Sequence, residues 1–197
     1  MRCGLDEAGR GPLAGPVCAA AVVLPQDFPI EVLGDSKKLS LAQREKARII
    51  IYEEAIAWGI GWASAAEIDK INILQASLLA MERAFYAMLS YAASLNRSLD
   101  ISEAVADGLY TPHIPVPCSA LVKADGSVPE VMAASILAKT ARDRMMERYG
   151  WIYPEYGFEQ HKGYPTKLHR SRILQYGPSP IQRFSFSIGP EQALFDF

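Results

Sequence analysis

The feature that most constrains the fold of this chain is an unbroken run of eight apolar residues at positions 17–24. A run of this length without any charged side chain is typical of a β-strand buried on both faces of a sheet. A shorter apolar run at residues 3–5 precedes it, and a glycine-rich turn at residues 9–12 lies between the two. The amino-terminal part of the chain is therefore predicted to contribute two buried strands.

Two helices and a third strand are predicted in the next part of the chain. Residues 40–43, Ser-Leu-Ala-Gln, form a capping box, which predicts a helix from there to about residue 57. A strand is predicted at residues 60–63. From Asn72 onward apolar side chains recur at steps of three or four, the stripe of an amphipathic helix. The stripe consists of Leu74, Leu78, Met81, Phe85, Met88 and Ala92.

The second half of the chain alternates between strands and helices. Residues 104–106 and 120–122 are short apolar runs, each near an Asp-Gly pair, and both are predicted strands. Residues 127–130, Ser-Val-Pro-Glu, form a second capping-box pattern with proline in the first turn, which predicts another helix. A loop rich in tyrosine, proline and glycine is predicted at residues 153–165, followed by a helix at residues 166–175.

This order of elements predicts the fold class. Strands come first and then alternate with helices, so we expect one α/β domain over residues 1–197, with a mixed β-sheet flanked by α-helices. A small C-terminal helical extension is expected over about residues 166–197. Half of the residues are hydrophobic and 21% are charged, which excludes a disordered or collagen-like chain.

Charge is distributed unevenly along the sequence. The formal net charge of −2 excludes a strongly basic nucleic-acid binder of the histone kind. Residues 123–183, however, hold ten basic and six acidic side chains, whereas residues 1–122 are net acidic. A basic segment of this kind is a weak indication of a polyanionic partner, and a solvated surface of mixed charge is the alternative.

The sequence shows no signal for export or membrane insertion. Residues 1–6 hold no apolar stretch of signal-peptide length, and no window reaches the roughly eighteen apolar residues of a membrane helix. Cys3, Cys18 and Cys118 are odd in number and lack a C-x-x-C spacing, which argues against a disulfide framework or a zinc site. A cytoplasmic protein without a membrane partner is therefore expected.

Four carboxylates lie where a buried sheet would otherwise exclude charge. Asp6 and Glu7 end the first strand. Asp107 ends the run at residues 104–106, and Asp125 follows the next run. Burying such carboxylates costs free energy unless they are paired or hydrogen-bonded. The ends of several strands can, however, converge and bring the carboxylates together in an oxygen-only site. A site of this kind suits Mg²⁺ or Mn²⁺ and phosphoryl chemistry. The alternative is that each acid is solvated or caps a turn, as Asp-Gly pairs commonly do.

Seven short motifs follow one another along most of the chain. They are DEAGRG at 6–11, DSKKL at 35–39, ILQA at 73–76, DG at 107–108, KADG at 123–126, ASILAK at 134–139 and HKGY at 161–164. In this order they resemble the motifs of ribonuclease HII, the type 2 ribonucleases H. Arg10 favours this group over the related ribonuclease HIII proteins, which typically have lysine at that position.

The resemblance implies both a fold and an activity. The fold is ribonuclease H-like, with a central mixed sheet flanked by helices. The activity is that of an endoribonuclease that cleaves the RNA strand of RNA–DNA hybrids and nicks 5′ of single ribonucleotides in duplex DNA, leaving 3′-hydroxyl and 5′-phosphate ends. Two Mn²⁺ or Mg²⁺ ions are the expected cofactors. The residues that match the family's catalytic and metal-binding carboxylates are Asp6, Glu7, Asp107 and Asp125.

The resemblance also implies a set of substrate-binding residues. Gly9, Arg10 and Gly11 are expected to sense the ribose 2′-hydroxyl, because glycines let the backbone come close to the sugar; a plain turn is the alternative. Tyr164 is expected to pack on the deoxyribose beyond the ribonucleotide, and an ordinary loop tyrosine is the alternative. The remaining expected contacts, mostly to phosphate, are Ser36, Lys37, Ser135, Lys139, Arg142 and Lys162.

Several alternatives stay open at the level of sequence. Lys139 and Asp143 lie at i,i+4, so an ion pair between them is the other role for Lys139. The chain could also be a nuclease or recombinase of the same superfamily that cuts plain DNA, or a non-catalytic nucleic-acid-binding protein. Four acids near phosphates would weaken simple binding, which favours catalysis. A monomer is expected. Residues 192–195 faintly resemble peptides that dock on bacterial sliding clamps, although a tail folded onto the body is favoured over a weak clamp contact.

Overall fold

A computed structural model describes residues 1–34 and 39–189 and contains five strands and five helices within them. The strands are β1 (Arg2–Ala8), β2 (Val17–Val23), β3 (Ala57–Ala63), β4 (Glu103–Asp107) and β5 (Cys118–Leu121). The helices are α1 (Leu41–Glu54), α2 (Ala65–Ser94), α3 (Pro129–Ile152), α4 (Phe158–His161) and α5 (Lys167–Tyr176). Single 3₁₀ turns lie at Ile30–Val32, Ala124–Gly126 and Pro154–Tyr156.

The five strands form one mixed sheet in the order β3-β2-β1-β4-β5. β2 is antiparallel to both β1 and β3, whereas β4 is parallel to β1 and β5 is parallel to β4. Parallel neighbours end at the same edge of the sheet, so β1, β4 and β5 bring their carboxyl ends together. The predicted fold class, a mixed sheet flanked by helices, is confirmed.

Helices cover both faces of this sheet. α2 packs on β2 and β3, while α3 packs on β1 and β2 from the other side and α1 packs against α3. The contact between α2 and β3 is very close, because a Cβ added to Gly59 or Gly61 would overlap the backbone of α2. Each face has its own apolar core, and the β2 strand contributes alternate residues to both.

The first helix begins as predicted, but the second begins earlier. Ser40 and Gln43 exchange both bonds of a capping box, at 3.2 and 2.9 Å. α2 starts at Ala65 rather than at Asn72, because Ser64 and Glu67 form a capping box that the apolar stripe does not reveal. Asn72 instead marks a kink with φ of 66°, and its side chain accepts the N–H of Gln75 to restart the helix.

The start of α3 corrects the second capping-box prediction. The residue that caps α3 is Val128, which makes no side-chain cap hydrogen bond, and Ser127 lies outside the helix. Pro129 occupies the first turn as predicted, where its missing N–H leaves no donor unsatisfied.

Three other predictions are also adjusted. β5 begins at Cys118, two residues before the predicted strand, and as an edge strand it has mostly exposed side chains. The predicted loop at residues 153–165 contains a 3₁₀ turn and α4. The C-terminal extension is helical over α5, but residues 177–189 contain no helix. Across the described part of the chain, no helix has the length and apolar character needed to cross a membrane.

Candidate active site

Two of the acidic strand ends lie side by side. In the parallel pair of β1 and β4, Leu5 is opposite Ala106, so Asp6 and Asp107 occupy the next positions on neighbouring strands. Asp6 and Glu7 are within β1, which continues to Ala8. Successive strand residues point to opposite faces, and accordingly Asp6 is hydrogen-bonded to a residue of α3 whereas Glu7 lies near residues of α2.

Asp125 reaches the same place from a turn rather than from a strand end. It lies in the 3₁₀ turn Ala124–Gly126, between β5 and α3. One carboxylate oxygen of Asp107 accepts the backbone N–H of Ala124 at 2.7 Å, which ties this turn to the end of β4. The carboxylate of Asp107 thus holds the backbone next to Asp125 and keeps Asp125 at this edge of the sheet.

All four acids line one open cleft of about 430 Å³. α3 contributes Ser135 and Lys139 to its wall, and Arg44 of α1 lies there as well. The remaining lining residues are Ala8, Gly9 and Tyr164. The structure thus brings the predicted acids, two predicted residues of α3, the glycine turn and the predicted tyrosine to a common surface.

The cleft is lined by four acidic and two basic side chains. Asp6 is only 6% exposed, and burial followed by the charge of Glu7 raises the pKa of its carboxyl, while a hydrogen bond from Ser135 works in the opposite direction. Burial also raises the pKa of Glu7, against the lowering effect of Arg10, whose guanidinium is 3.3 Å from the Glu7 carboxylate. Bound cations would stabilise the ionised form of both acids.

The four carboxylates are ligands of the type that divalent cations prefer, but their arrangement in this structure does not surround an ion. All four candidate ligands are carboxylates, which Mg²⁺ and Mn²⁺ prefer. Within residues 1–34 and 39–189, however, no three acidic, histidine or cysteine side chains are grouped closely enough to hold a metal ion. Binding would therefore require these side chains to close around the ion.

The glycine turn lies directly above a buried arginine. Gly9 has a φ of +98°, and a Cβ at this position would overlap the guanidinium of Arg142. A Cβ on Gly11 would lie 3.7 Å from the ring of Tyr164, so the turn and the tyrosine face each other across a narrow gap. Only glycine at position 9 satisfies both the backbone conformation and this close packing.

Tyr164 presents its ring from a backbone held on both sides. Its N–H donates to the carbonyl of His161 at 2.9 Å, and its own carbonyl accepts from the imidazole of His169 at 3.1 Å. The side chain remains 41% exposed at the cleft. This placement is compatible with the predicted contact to a sugar.

The other predicted substrate contacts are not all at the cleft. Lys139 forms the alternative ion pair with Asp143, at 2.7 Å, while also lining the wall. Lys162 does not line the cleft, and its ammonium pairs with Glu147 at 2.7 Å. Ser36 and Lys37 lie outside the described residues.

Arg142 requires a correction. It was expected to contact phosphate, but it is 1% exposed and its guanidinium donates to three backbone carbonyls. α3 passes beneath the turn that follows β1, so the third position of the predicted polar stripe is covered by that turn. Arg142 supports the wall of the site from below and is not accessible to a phosphate.

Two residues near the site were missed by the sequence analysis. Arg44 is in the first turn of α1, directly after the capping box and close to the 35–39 motif, and this proximity was an available signal. Arg183 is fully buried and donates to the carbonyls of Gly9 and Arg10, at 2.7 and 3.0 Å. No local pattern around Arg183 indicates this contact.

Comparison with known proteins agrees with the geometry. The model of the family described as ribonuclease HII matches residues 3–188. The chain belongs to the ribonuclease HII family. A ribonuclease HII from Treponema denticola is 59% identical over 196 residues, covering 95% of this chain and 98% of that protein. Another ribonuclease HII, from Dechloromonas aromatica, is 50% identical over 184 residues, covering 93% of this chain and 89% of that protein.

A solved structure supports the same conclusion for the fold. The ribonuclease H2 from Pyrococcus horikoshii OT3 is similar to this chain with a TM-score of 0.70 and 25% identity, covering 95% of this chain and 94% of that one. Membership of the ribonuclease HII family makes this protein a metal-dependent ribonuclease that acts on RNA paired with DNA. The predicted family and enzyme class are confirmed.

Proposed function

We propose that this ribonuclease HII cleaves the RNA strand of RNA–DNA hybrids and nicks duplex DNA on the 5′ side of a single ribonucleotide, leaving 3′-hydroxyl and 5′-phosphate ends. The observation that carries the proposal is that the glycine turn and the Tyr164 ring adjoin each other at the cleft lined by four carboxylates. A nucleotide bound over the turn would contact backbone polar groups, with the aromatic ring of Tyr164 next to it. Its phosphate then lies near the acids.

The four carboxylates would hold the divalent cations, for which we propose two ions of Mn²⁺ or Mg²⁺. When bound, such ions make water more acidic and stabilise charge on the phosphate oxygens. The chain's own contribution is to collect the oxygens at one edge of the sheet, on β1, on β4 and on the turn after β5. Ser135 adds a hydrogen bond that favours the ionised form of Asp6.

The glycine turn supplies the selection for ribose. Without side chains at positions 9 and 11, backbone N–H groups of the turn can approach a sugar closely and donate hydrogen bonds to a 2′-hydroxyl. A deoxyribose at the same place would leave those polar groups unpaired, which disfavours its binding. Tyr164 then packs on the next sugar, where a deoxyribose lacks the 2′-oxygen that would crowd the ring.

Cationic side chains on the wall are proposed to bind the phosphates. Lys139 and Arg44 lie at the cleft, and the predictions for Ser36 and Lys37 concern the neighbouring segment that is not described. Contacts of this kind position a strand without reading its sequence. The monomeric state and a weak contact of residues 192–195 with a sliding clamp also stay predictions, the latter on residues outside the described range.

The deciding experiment uses an end-labelled DNA duplex that contains one ribonucleotide. With Mg²⁺ or Mn²⁺ we expect one nick on its 5′ side, and EDTA should abolish it. Asp107→Asn should lower the rate by at least about a hundredfold, because the amide keeps the shape but loses the charge that binds a cation. Asp27→Asn, which changes an exposed acid outside the cleft, is the matched control and should cut at the wild-type rate.

Other outcomes would overturn the proposal in distinct ways. Equal cutting of an all-DNA duplex would identify a DNA nuclease without ribose selection. Binding without cutting at any concentration of either metal would identify a non-catalytic binding protein. For the tyrosine, Tyr164→Ala should lower the nicking rate more than it weakens binding, while Tyr164→Phe should retain most of the activity because the ring is kept.

A further inference from the structure

Two arginines lie buried beneath the cleft without a carboxylate partner. Arg142 is 1% exposed and Arg183 is 0% exposed, and among residues 1–34 and 39–189 neither forms an ion pair. Burying a guanidinium is costly unless all of its N–H groups find acceptors. Both arginines are instead surrounded by backbone carbonyls, so the fold retains two buried cations to hold backbone in place.

The carbonyls held by Arg183 belong to the glycine turn. Its Nη2 donates to Gly9 at 2.7 Å, its Nη1 to Arg10 at 3.0 Å and its Nε to Gly15 at 2.8 Å. Each of the three guanidinium nitrogens therefore donates to the segment that precedes β2. Arg142 holds other carbonyls of the same segment, those of Ala14 and Pro16.

Because peptide groups are planar, these contacts also fix the direction of the N–H groups on the exposed side of the turn. In a planar trans peptide the C=O and the N–H point in opposite directions. Because the carbonyls of Gly9 and Arg10 point inward to Arg183, the N–H groups of Arg10 and Gly11 point away from it. Neither N–H is hydrogen-bonded to any described residue, and Gly11 faces the ring of Tyr164.

We propose that Arg183 is a positioning residue for ribonucleotide recognition, which fixes the N–H groups of Arg10 and Gly11 as a pair of outward donors for an oxygen of the ribonucleotide. The inference rests on the proposed function, since it assigns the donors that select the ribose. Two adjacent outward N–H groups form a small concave site for an oxygen ligand. Because these groups are held in place before substrate arrives, binding does not lose free energy in ordering them.

The segment that carries Arg183 is itself anchored to α2. The carboxylate of Asp69 accepts the N–H groups of Phe184 and Ser185, at 3.0 and 2.9 Å, and the hydroxyl of Ser185 at 2.6 Å. The N–H of Arg183 donates to the carbonyl of Leu13 at 2.8 Å. The guanidinium is therefore presented from a fixed backbone, and the part of the chain after α5 contributes to the recognition of substrate.

The experiment is the Arg183→Lys variant, measured by steady-state nicking of the duplex with one ribonucleotide. Lysine keeps the positive charge, but a single ammonium cannot satisfy three divergent carbonyls at once. We expect KM for this duplex to rise about tenfold, since a hydrogen-bonding pair in the site is misplaced. The inhibition constant of the same duplex made entirely of DNA should stay unchanged, because that duplex has no ribose for the turn to select.

Two further variants separate positioning from a loss of stability. Phe85→Leu weakens the core on the α2 face, away from the turn, and should leave KM unchanged even if the active fraction falls. Asp69→Asn loosens the anchor of the Arg183 segment and should raise KM in the same direction as Arg183→Lys, by a smaller factor. Amide NMR shifts of Arg10 and Gly11 should move in Arg183→Lys and in Asp69→Asn, but not in Phe85→Leu.

The outcomes distinguish this inference from the proposed function. If the wild-type protein does not nick at the ribonucleotide, the proposed function is wrong. If the wild type nicks but Arg183→Lys keeps its KM, or loses kcat alone, Arg183 is structural only and the inference is overturned. If Arg183→Lys does not fold, an unchanged KM in Asp69→Asn overturns it in the same way.

Discussion

At the scale of single residues, two stacked histidines hold the loop that presents Tyr164. The rings of His161 and His169 are 4.4 Å apart and inclined by 15°. His161 accepts the N–H of Gly163 with one nitrogen at 3.1 Å, so its other nitrogen donates to Tyr156 at 2.9 Å. The bond from Gly163 requires a neutral His161, because a protonated Nδ1 could not accept it. Burial lowers the pKa of both rings, that of His169 to about 4 with the proximity of His161 as a further cause.

A pH dependence of stability follows from this pair. The pKa of His169 lies below the ordinary histidine value, so between about pH 6.5 and pH 4 the unfolded chain binds more protons and stability falls as the pH is lowered. From pH 7 to pH 5, His169→Gln should lose less unfolding free energy than the wild type, by on the order of 1 kcal/mol. Urea unfolding measures this, with His113→Gln, a change of an exposed histidine, as the control. Parallel curves for the wild type and His169→Gln would contradict it.

At the scale of elements, α3 contributes side chains that line the cleft and a buried side chain that supports its wall. Ser135, Lys139 and Arg142 lie on one stripe of this helix, as their spacing predicts. The first two line the cleft, while the third is covered by the turn that follows β1. Helical spacing predicts which side chains share a face, but it cannot predict where another segment crosses that face.

The helix starts provide a matched prediction. α2 has a complete capping box at Ser64, whereas α3 starts at a proline and Ser127 caps nothing. Ser64→Ala should therefore lower the free energy of unfolding by about 1 kcal/mol, and Ser127→Ala by only a few tenths. Chemical denaturation of the two variants measures the difference. Equal losses would show that Ser127 caps the helix in solution.

At the scale of the whole molecule, the fold concentrates negative charge at one edge of its sheet. Four acids from three separate segments share one cleft, and Asp6 and Asp125 are almost fully buried. The divalent cations proposed for this cleft would bind only the folded state, because in the unfolded chain the four ligands are far apart. Metal binding should accordingly stabilise the fold as a whole.

Thermal unfolding tests this coupling. Adding Mg²⁺ or Mn²⁺ at about a hundred times its dissociation constant should stabilise the protein by about 2.7 kcal/mol, which raises Tm by roughly 5–10 °C for a chain of this size. EDTA should reverse the shift, and Asp125→Asn should remove most of it. In Asp27→Asn the shift should be retained. An equal rise of Tm in Asp125→Asn would place the stabilising ion elsewhere.

The order of elements and the four acids could be predicted because their signals are local. Apolar runs, capping patterns and the apolar stripe each span a few residues, and the motif order indicated the family. The start of α2 at Ala65 was missed although Ser64 and Glu67 carry a local signal, because the apolar stripe first becomes regular only after the kink at Asn72. Local patterns therefore predicted which elements occur more accurately than the residues at which they begin and end.

The sequence by itself determined the family and the kind of fold, and it indicated which residues are the candidates for catalysis. Only the tertiary structure decided how they are held: the turn that ties Asp125 to Asp107, the burial of Arg142, and the contact between Arg183 and Gly9, which are 174 residues apart. The physical reason is that a buried guanidinium is stabilised by whichever carbonyls the fold places around it. Backbone carbonyls are the same in every residue and leave no pattern in the sequence.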